Sequence, residues 1–302
     1  MSKPLNSPRK RLWVRFDPNG PGSRQHYFHF LLGYLLPSLD CRLRDPAVEQ
    51  TVFVSCGPVM DCRTREAARL LNQSFIIAQV DLIPDAWSAT TREVLAPRWD
   101  RWLMSGLNSG AIQHLPRNDT AVQAIRHLRQ QFLSAAAATA AVSSAATEDE
   151  GDWLLLRRSA QPDFYRPGGA AEIAYYGSGR RAIAHLDRLA ADLTTAGLPV
   201  RIYEPGAHSL REQISTFAKA RGIIGIRGAE FANVLWMKPG AQALMLATPV
   251  KRENHASKNL AELIGIRFHL MPVASNDPQV EASVILNTLD AHTKTSCFKS
   301  RV

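Results

Sequence analysis

The chain has 302 residues, 45% of them hydrophobic and 21% charged, with a net charge of +9. That length holds one large or two ordinary domains, and the composition is that of a folded soluble protein rather than a disordered or fibrous one. The basic excess fits an anionic substrate or an acidic membrane surface. With no recognition motif and no lysine-rich tail, nucleic acid is not an expected partner.

The opening MSKPLNSPRKRLW is basic and polar and lacks the apolar core of a signal peptide. RLWVRF and TVFVSC read as strands. Between them, HYFHFLLGYLLPSLD reads as a buried helix that ends or kinks at Pro37 and is too short to span a bilayer. The four cysteines, Cys41, Cys56, Cys62 and Cys297, lack metal-ligand spacing and read as reduced thiols. A cytoplasmic protein, associated peripherally with the inner membrane face, is the expectation.

REAARLLNQ has the pattern of an amphipathic helix, SFIIAQVD that of a strand and AVQAIRHLRQQF that of a helix. The low-complexity run SAAAATAAVSSAAT follows, then the acidic EDEGD. Its alanines can extend the preceding helix, whereas its Ser/Thr content and acidic end argue for a solvated connector. A domain boundary is placed there, giving domains of 1–145 and 146–302.

The second half alternates more cleanly. WLLLRRS is a strand running into Arg157 and Arg158. GRRAIAHLDRLAADLTTAG predicts a helix stopped at Gly197. PVRIYEP is a strand ending at Tyr203 and Glu204, and SLREQISTFAKAR a helix whose Ser209 and Glu212 form a capping box. GIIGI is a short buried strand, FANVLWM a helix start, PGAQALMLATP a turn and strand, and NLAELIGIRFHLMPV one more helix and strand. Alternating strands and helices in both halves predict an α/β protein of two Rossmann-like domains facing a central cleft.

The turn RGAE between GIIGI and FANVLWM carries the clearest chemistry. Gly228 and Ala229 leave the backbone open to a close ligand, and the amides of the following helix point back at the turn. Arg227 adds a positive charge. The turn predicts an anionic ligand, a diphosphate, at the carboxyl edge of a parallel sheet.

In order, LLLRRS, YEPGAHSLREQISTFAKARGIIG and RGAEFANVLWMKPGA resemble glycosyltransferase family 61. HYFHFLLGYLLPSL resembles that family's aromatic-histidine segment. The likeness covers most of residues 153–249 and a stretch near residue 28. It implies a GT-B fold and inverting transfer from a nucleotide sugar, with UDP the expected nucleotide, to a glycan or glycolipid acceptor. It also implies no cofactor and no required metal, and the chain has no Asp-x-Asp motif.

The resemblance gives Arg157 and Arg158 the donor diphosphate and the leaving group, a task suited to bidentate guanidinium groups. Neighbouring strand residues point to opposite faces, so one of the pair is the better placed. Tyr203 and Glu204 either contact the nucleoside or serve packing and solvation. Arg166, Arg180 and Arg181 are alternatives for a further family arginine, and the glycine-rich segment holding Gly168, Gly169, Gly177 and Gly179 is a lid or a long surface loop. Arg227 stands where the family has histidine and Glu230 where it has glycine. Glu230 either pairs with Arg227, contacts a sugar hydroxyl or points away. Asn233 keeps its family position and either binds phosphate or ribose or closes a local hydrogen bond. His29 is the first candidate for the base that deprotonates the acceptor, with His26 and Glu230 as alternatives. The RGAE departure motivates a second reading: a nucleotide- or glycan-binding homologue without catalysis.

Overall fold

The computed structural model describes residues 10–17, 24–79, 85–105, 119–140, 151–160, 181–248 and 256–299. They fall into two compact units. Residues 10–105 and 119–140 belong to the first, and those from 151 to 299 to the second. Each unit is built on a parallel sheet.

The first unit contains β1 (Arg11–Arg15), β2 (Gln50–Val54), β3 (Phe75–Ala78) and β4 (Thr91–Leu95) in the order β3-β2-β1-β4. Two strands lie to one side of β1 and β4 to the other, so the order reverses between β1 and β4. The sequence pattern missed β4, whose exposed Arg92 and Glu93 hide the apolar run expected of a strand. One apolar cluster joins Trp13, Val52 and Val54 to Ile76 and Ala78. On the sheet, the buried Tyr34 hydroxyl donates to the Val14 carbonyl at 2.8 Å and accepts from the Val54 N–H at 2.7 Å.

The helix that follows β1 does not stop at Pro37. It runs as α1 (Tyr27–Phe30), a π turn (Leu31–Leu35) and α2 (Leu36–Leu43). Proline has no N–H for an α-type bond to the carbonyl four residues back, and the wider π turn directly before it absorbs that loss. The Ser38 hydroxyl donates to the Tyr34 carbonyl in the same stretch. Next, α3 (Pro58–Leu70) starts earlier than the pattern indicates, because Gly57 takes φ +88° and Asp61 holds the turn through the Cys56 N–H at 2.8 Å. A helix α4 (Trp99–Ser105) follows β4, and α5 (Asp119–Ala140) continues into the alanine-rich run, as alanine's helix propensity favours.

The second unit has β5 (Trp153–Leu156), β6 (Val200–Tyr203), β7 (Gly222–Ile226), β8 (Gln242–Ala247) and β9 (Arg267–Pro272), in the order β6-β5-β7-β8-β9. Numbered within the unit this is 2-1-3-4-5, a doubly wound order whose direction reverses between β5 and β7. α6 (Leu186–Thr195) and α9 (Ala282–Lys299) pack beside each other. They cover a core of Trp153, Leu155, Ile224, Ile226, Leu244 and Leu246. α7 (Leu210–Lys219) and α8 (Ala256–Ile264) pack against a short helix at Ala229–Trp236. Strands covered on both faces read as continuous apolar runs, which is why GIIGI and ALMLA were recognisable.

Two local readings change. The helix expected from GRRAIAHLDRLAADLTTAG begins only at Leu186, because His185 takes a left-handed φ of +53° that cannot continue a helix. Gly197, at φ +91°, stops it as expected. FANVLWM is wound as a 3-10 helix spanning Ala229–Trp236, with all of Phe231 to Trp236 buried and Gly240 turning the chain after Pro239. The capping box of Ser209 and Glu212 is present.

Candidate active site

In the second unit, Arg158 leaves the carboxyl end of β5 and Arg227 the carboxyl end of β7, the two strands that flank the reversal of order. Open α/β sheets hold ligands in the crevice at that point. The two adjacent arginines part there. Arg157 donates from Nη2 to Asp187 at 2.7 Å, an exposed pair in the first turn of α6. Arg158 turns inward to Glu230, Nε to Oε1 at 3.3 Å, and its Nη1 donates to the Arg227 carbonyl at 3.4 Å.

Arg181 reaches the same carbonyl, Nη1 to oxygen at 2.8 Å, and is only 8% exposed. It gets there because residues 181–183 precede the helix; Ala182 N–H bonds to the Asn276 carbonyl instead. Of the three arginines considered for a further cation, Arg181 is the one the structure brings to the turn, while Arg166 and Arg180 lie outside the described residues. The same holds for Gly168, Gly169, Gly177 and Gly179.

The turn itself is closely fitted. Gly228 is extended at φ −169°, so its role is space rather than an unusual dihedral. A Cβ there would run into the Glu230 carboxylate and lie 2.8 Å from Arg158 Nη1. Glu230 therefore lies over the turn and pairs with Arg158, not with Arg227. Ala229 opens the 3-10 helix, whose first N–H groups have no partner inside it.

Other proposed donor contacts are placed elsewhere. Tyr203 is 3% exposed, stacked on His208 at 4.6 Å and edge-on to Phe217, so its ring is a packing element. Glu204, partly buried, follows β6, one strand removed from the β5–β7 reversal, and its carbonyl accepts from Ala207 N–H. Asn233 is fully buried inside the 3-10 helix rather than on the surface of the turn. Glu212 is held by Ser209, whose hydrogen bonds keep its carboxyl below the usual value.

The first unit has its own polar cluster at its point of reversal. His29, in α1 after β1, places Nδ1 2.7 Å from Oδ2 of Asp100, in α4 after β4. Asp100 is 0% exposed, and Arg98 grips both its oxygens, Nε to Oδ1 at 2.8 Å and Nη2 to Oδ2 at 2.6 Å. Arg98 also donates to the Asp17 carbonyl and lies 4.2 Å over the Phe16 ring at the end of β1. Burial alone would raise the Asp100 carboxyl. The hydrogen bonds from Arg98 and His29, with their charges, outweigh it and hold the group below its ordinary value. A carboxylate only accepts, so His29 Nδ1 carries the proton of this bond, and whenever the ring is neutral its lone pair lies on Nε2. The His26 ring lies obliquely beside that of His29, centroids 6.3 Å apart.

Gly33 makes this possible. It sits in the π turn with the Asp100 carboxylate packed against it, where a Cβ would lie 2.6 Å from Cγ. Arg98 and Asp100 were missed in the sequence. The only available signal was a proline-initiated helix after β4 carrying an acid that turns out to be buried.

Among the described residues, no group of three or more His, Cys, Asp or Glu side chains is placed to hold a metal ion, and no helix is long and apolar enough to cross a membrane. The family model for glycosyltransferase 61 matches residues 27–244, a span that takes in His29, Asp100, Arg158 and the Arg227–Glu230 turn. No curated protein matches the chain. The match covers most of the chain, which therefore belongs to glycosyltransferase family 61. The family implies glycosyltransferase activity, with a sugar donor and an acceptor as substrates.

Proposed function

We propose that this member of glycosyltransferase family 61 is an inverting, GT-B-type enzyme that transfers a sugar from a nucleoside diphosphate donor to a glycan or glycolipid acceptor. The observation that carries this is the convergence of Arg158 and Arg181 on the glycine turn at the β5–β7 reversal. Guanidinium groups and turn amides neutralise the charge that develops on a departing diphosphate, without calling on a divalent cation. A uridine nucleotide is the first donor to test, on the strength of the family resemblance.

His29 is the base. Its Nε2 takes the proton of the acceptor hydroxyl as that oxygen attacks the anomeric carbon. The bond from that carbon to the diphosphate oxygen breaks, and the diphosphate leaves with the bonding pair. The ordered Nδ1–H···Asp100 contact supports this role by fixing the tautomer that leaves Nε2 able to accept. The net positive charge supports an acceptor at an acidic membrane face in the cytoplasm.

Glu230 favours a second reading, a nucleotide-binding protein without turnover, because its carboxylate already neutralises Arg158. A panel of nucleotide sugars separates the two. The enzyme shows a raised melting temperature with one donor and releases its nucleoside diphosphate, by transfer or slow hydrolysis. Stabilisation without any release points to the binding protein. No stabilisation by any nucleotide diphosphate removes the donor site from both.

A further inference from the structure

Glu230 Oε2 is buried without a hydrogen bond among the described residues, and so is Arg158 Nε. Buried polar atoms almost always have partners, so each such atom at a functional site asks for a ligand group. The two side chains belong to one ion pair, 3.3 Å apart at Nε and Oε1, lying over Gly228. One offers a donor and the other an acceptor. A ligand that satisfies both presents an oxyanion and, beside it, a hydroxyl.

We propose that Glu230 and Arg158 together read the anomeric phosphate and the neighbouring C2 hydroxyl of the donor sugar, an assignment that rests on the glycosyltransferase reading above. Arg158 takes the phosphate oxygen next to the anomeric carbon, and Glu230 Oε2 accepts from the C2 hydroxyl. No bond is made or broken in this recognition. The same carboxylate sets the turn against the free nucleoside diphosphate. That product has lost the hydroxyl Glu230 accepts from, and its terminal phosphate carries an extra negative charge beside the carboxylate. Glu230 thus selects the sugar ester over the spent product and favours product release. The glutamate that replaces a family glycine is, on this view, a specificity residue.

The test is isothermal titration of UDP-glucose, UDP-2-deoxyglucose and UDP into wild type, Glu230→Gln and Glu230→Ala, with guanosine and cytidine sets in parallel. Melting curves confirm that each variant is folded. In wild type the glucose ester binds about tenfold or more tighter than both its 2-deoxy analogue and the free diphosphate, the scale of a hydrogen bond to a charged group. Glu230→Ala brings all three to similar affinity. Glu230→Gln keeps part of the 2-deoxy discrimination and loses that against the free diphosphate. Equal ratios in wild type and Glu230→Ala overturn the assignment while leaving the donor site intact. Failure of every nucleotide to bind any of the three proteins overturns the glycosyltransferase reading itself, and the assignment with it.

Discussion

His29 Nδ1 lies 2.7 Å from Asp100 Oδ2, across 71 residues of sequence, and Asp100 is fully buried while the His29 side chain keeps 16% of its surface exposed. The pair joins the helix after β1 to the helix after β4 at the place where strand order reverses. An acid held out of water orients a ring that still meets it.

His29→Ala is expected to lower kcat by about 10²- to 10⁴-fold, the usual weight of a positioned acid–base group. The donor dissociation constant should stay within about twofold, because the arginines and the turn are untouched. Steady-state kinetics with donor titration check both. Unchanged turnover would take the base role from His29.

Asp100→Asn is expected to cost about 3–5 kcal/mol, since Arg98 then stays buried without its counter-charge. The loss depends on pH. Asp100 titrates below its ordinary value in the fold, so its contribution is complete above the unfolded value of about 4 and is lost as pH falls through the lower folded value. Melting temperatures measured from about pH 7 down to about pH 3 should show the gap between wild type and variant closing at the acid end. A gap that widens on acidification would contradict the sign.

Gly33→Ala tests the cluster without touching its polar residues. The new methyl would fall 2.6 Å from Asp100 Cγ, with backbone on one side and a buried ion pair on the other. A destabilisation of about 1–3 kcal/mol is expected from overpacking. Turnover should fall with it while donor affinity holds, as calorimetry and kinetics on the same preparation would show.

The two neighbouring arginines should separate sharply. Arg158→Ala is expected to weaken donor binding by at least about tenfold, because a guanidinium 11% exposed at the turn is lost. Arg157→Ala should change it by less than about threefold, because its partner Asp187 is 83% exposed and such pairs contribute little. Titration of the two variants side by side decides, and equal losses would restore Arg157 to the donor site.

Gly228→Ala should mimic Arg158→Ala in binding. Its methyl would meet the Glu230 carboxylate and Arg158 Nη1 together, and one of them must leave the turn. Donor affinity lowered about tenfold at an unchanged melting temperature is the expected result. Binding equal to wild type would mean the close approach over Gly228 is not needed.

The sequence by itself determined the α/β alternation, the strands β5, β7 and β8, the glycine stop at Gly197, the capping box and the turn at Arg227–Glu230. These are local properties: apolar runs, special dihedrals and caps a few residues apart. It also gave His29 and the two arginines as candidates, through motif order alone. Only the tertiary structure decided which of them have partners. Parallel strands bring together residues far apart in the chain, so Asp100 under His29, Arg181 on the Arg227 carbonyl and Glu230 against Arg158 leave no local periodicity to read. Burial, too, is set by the layers on either side of a strand, which is why the sequence left Tyr203 and Asn233 open between a ligand contact and an internal role, whereas the fold packs both inside.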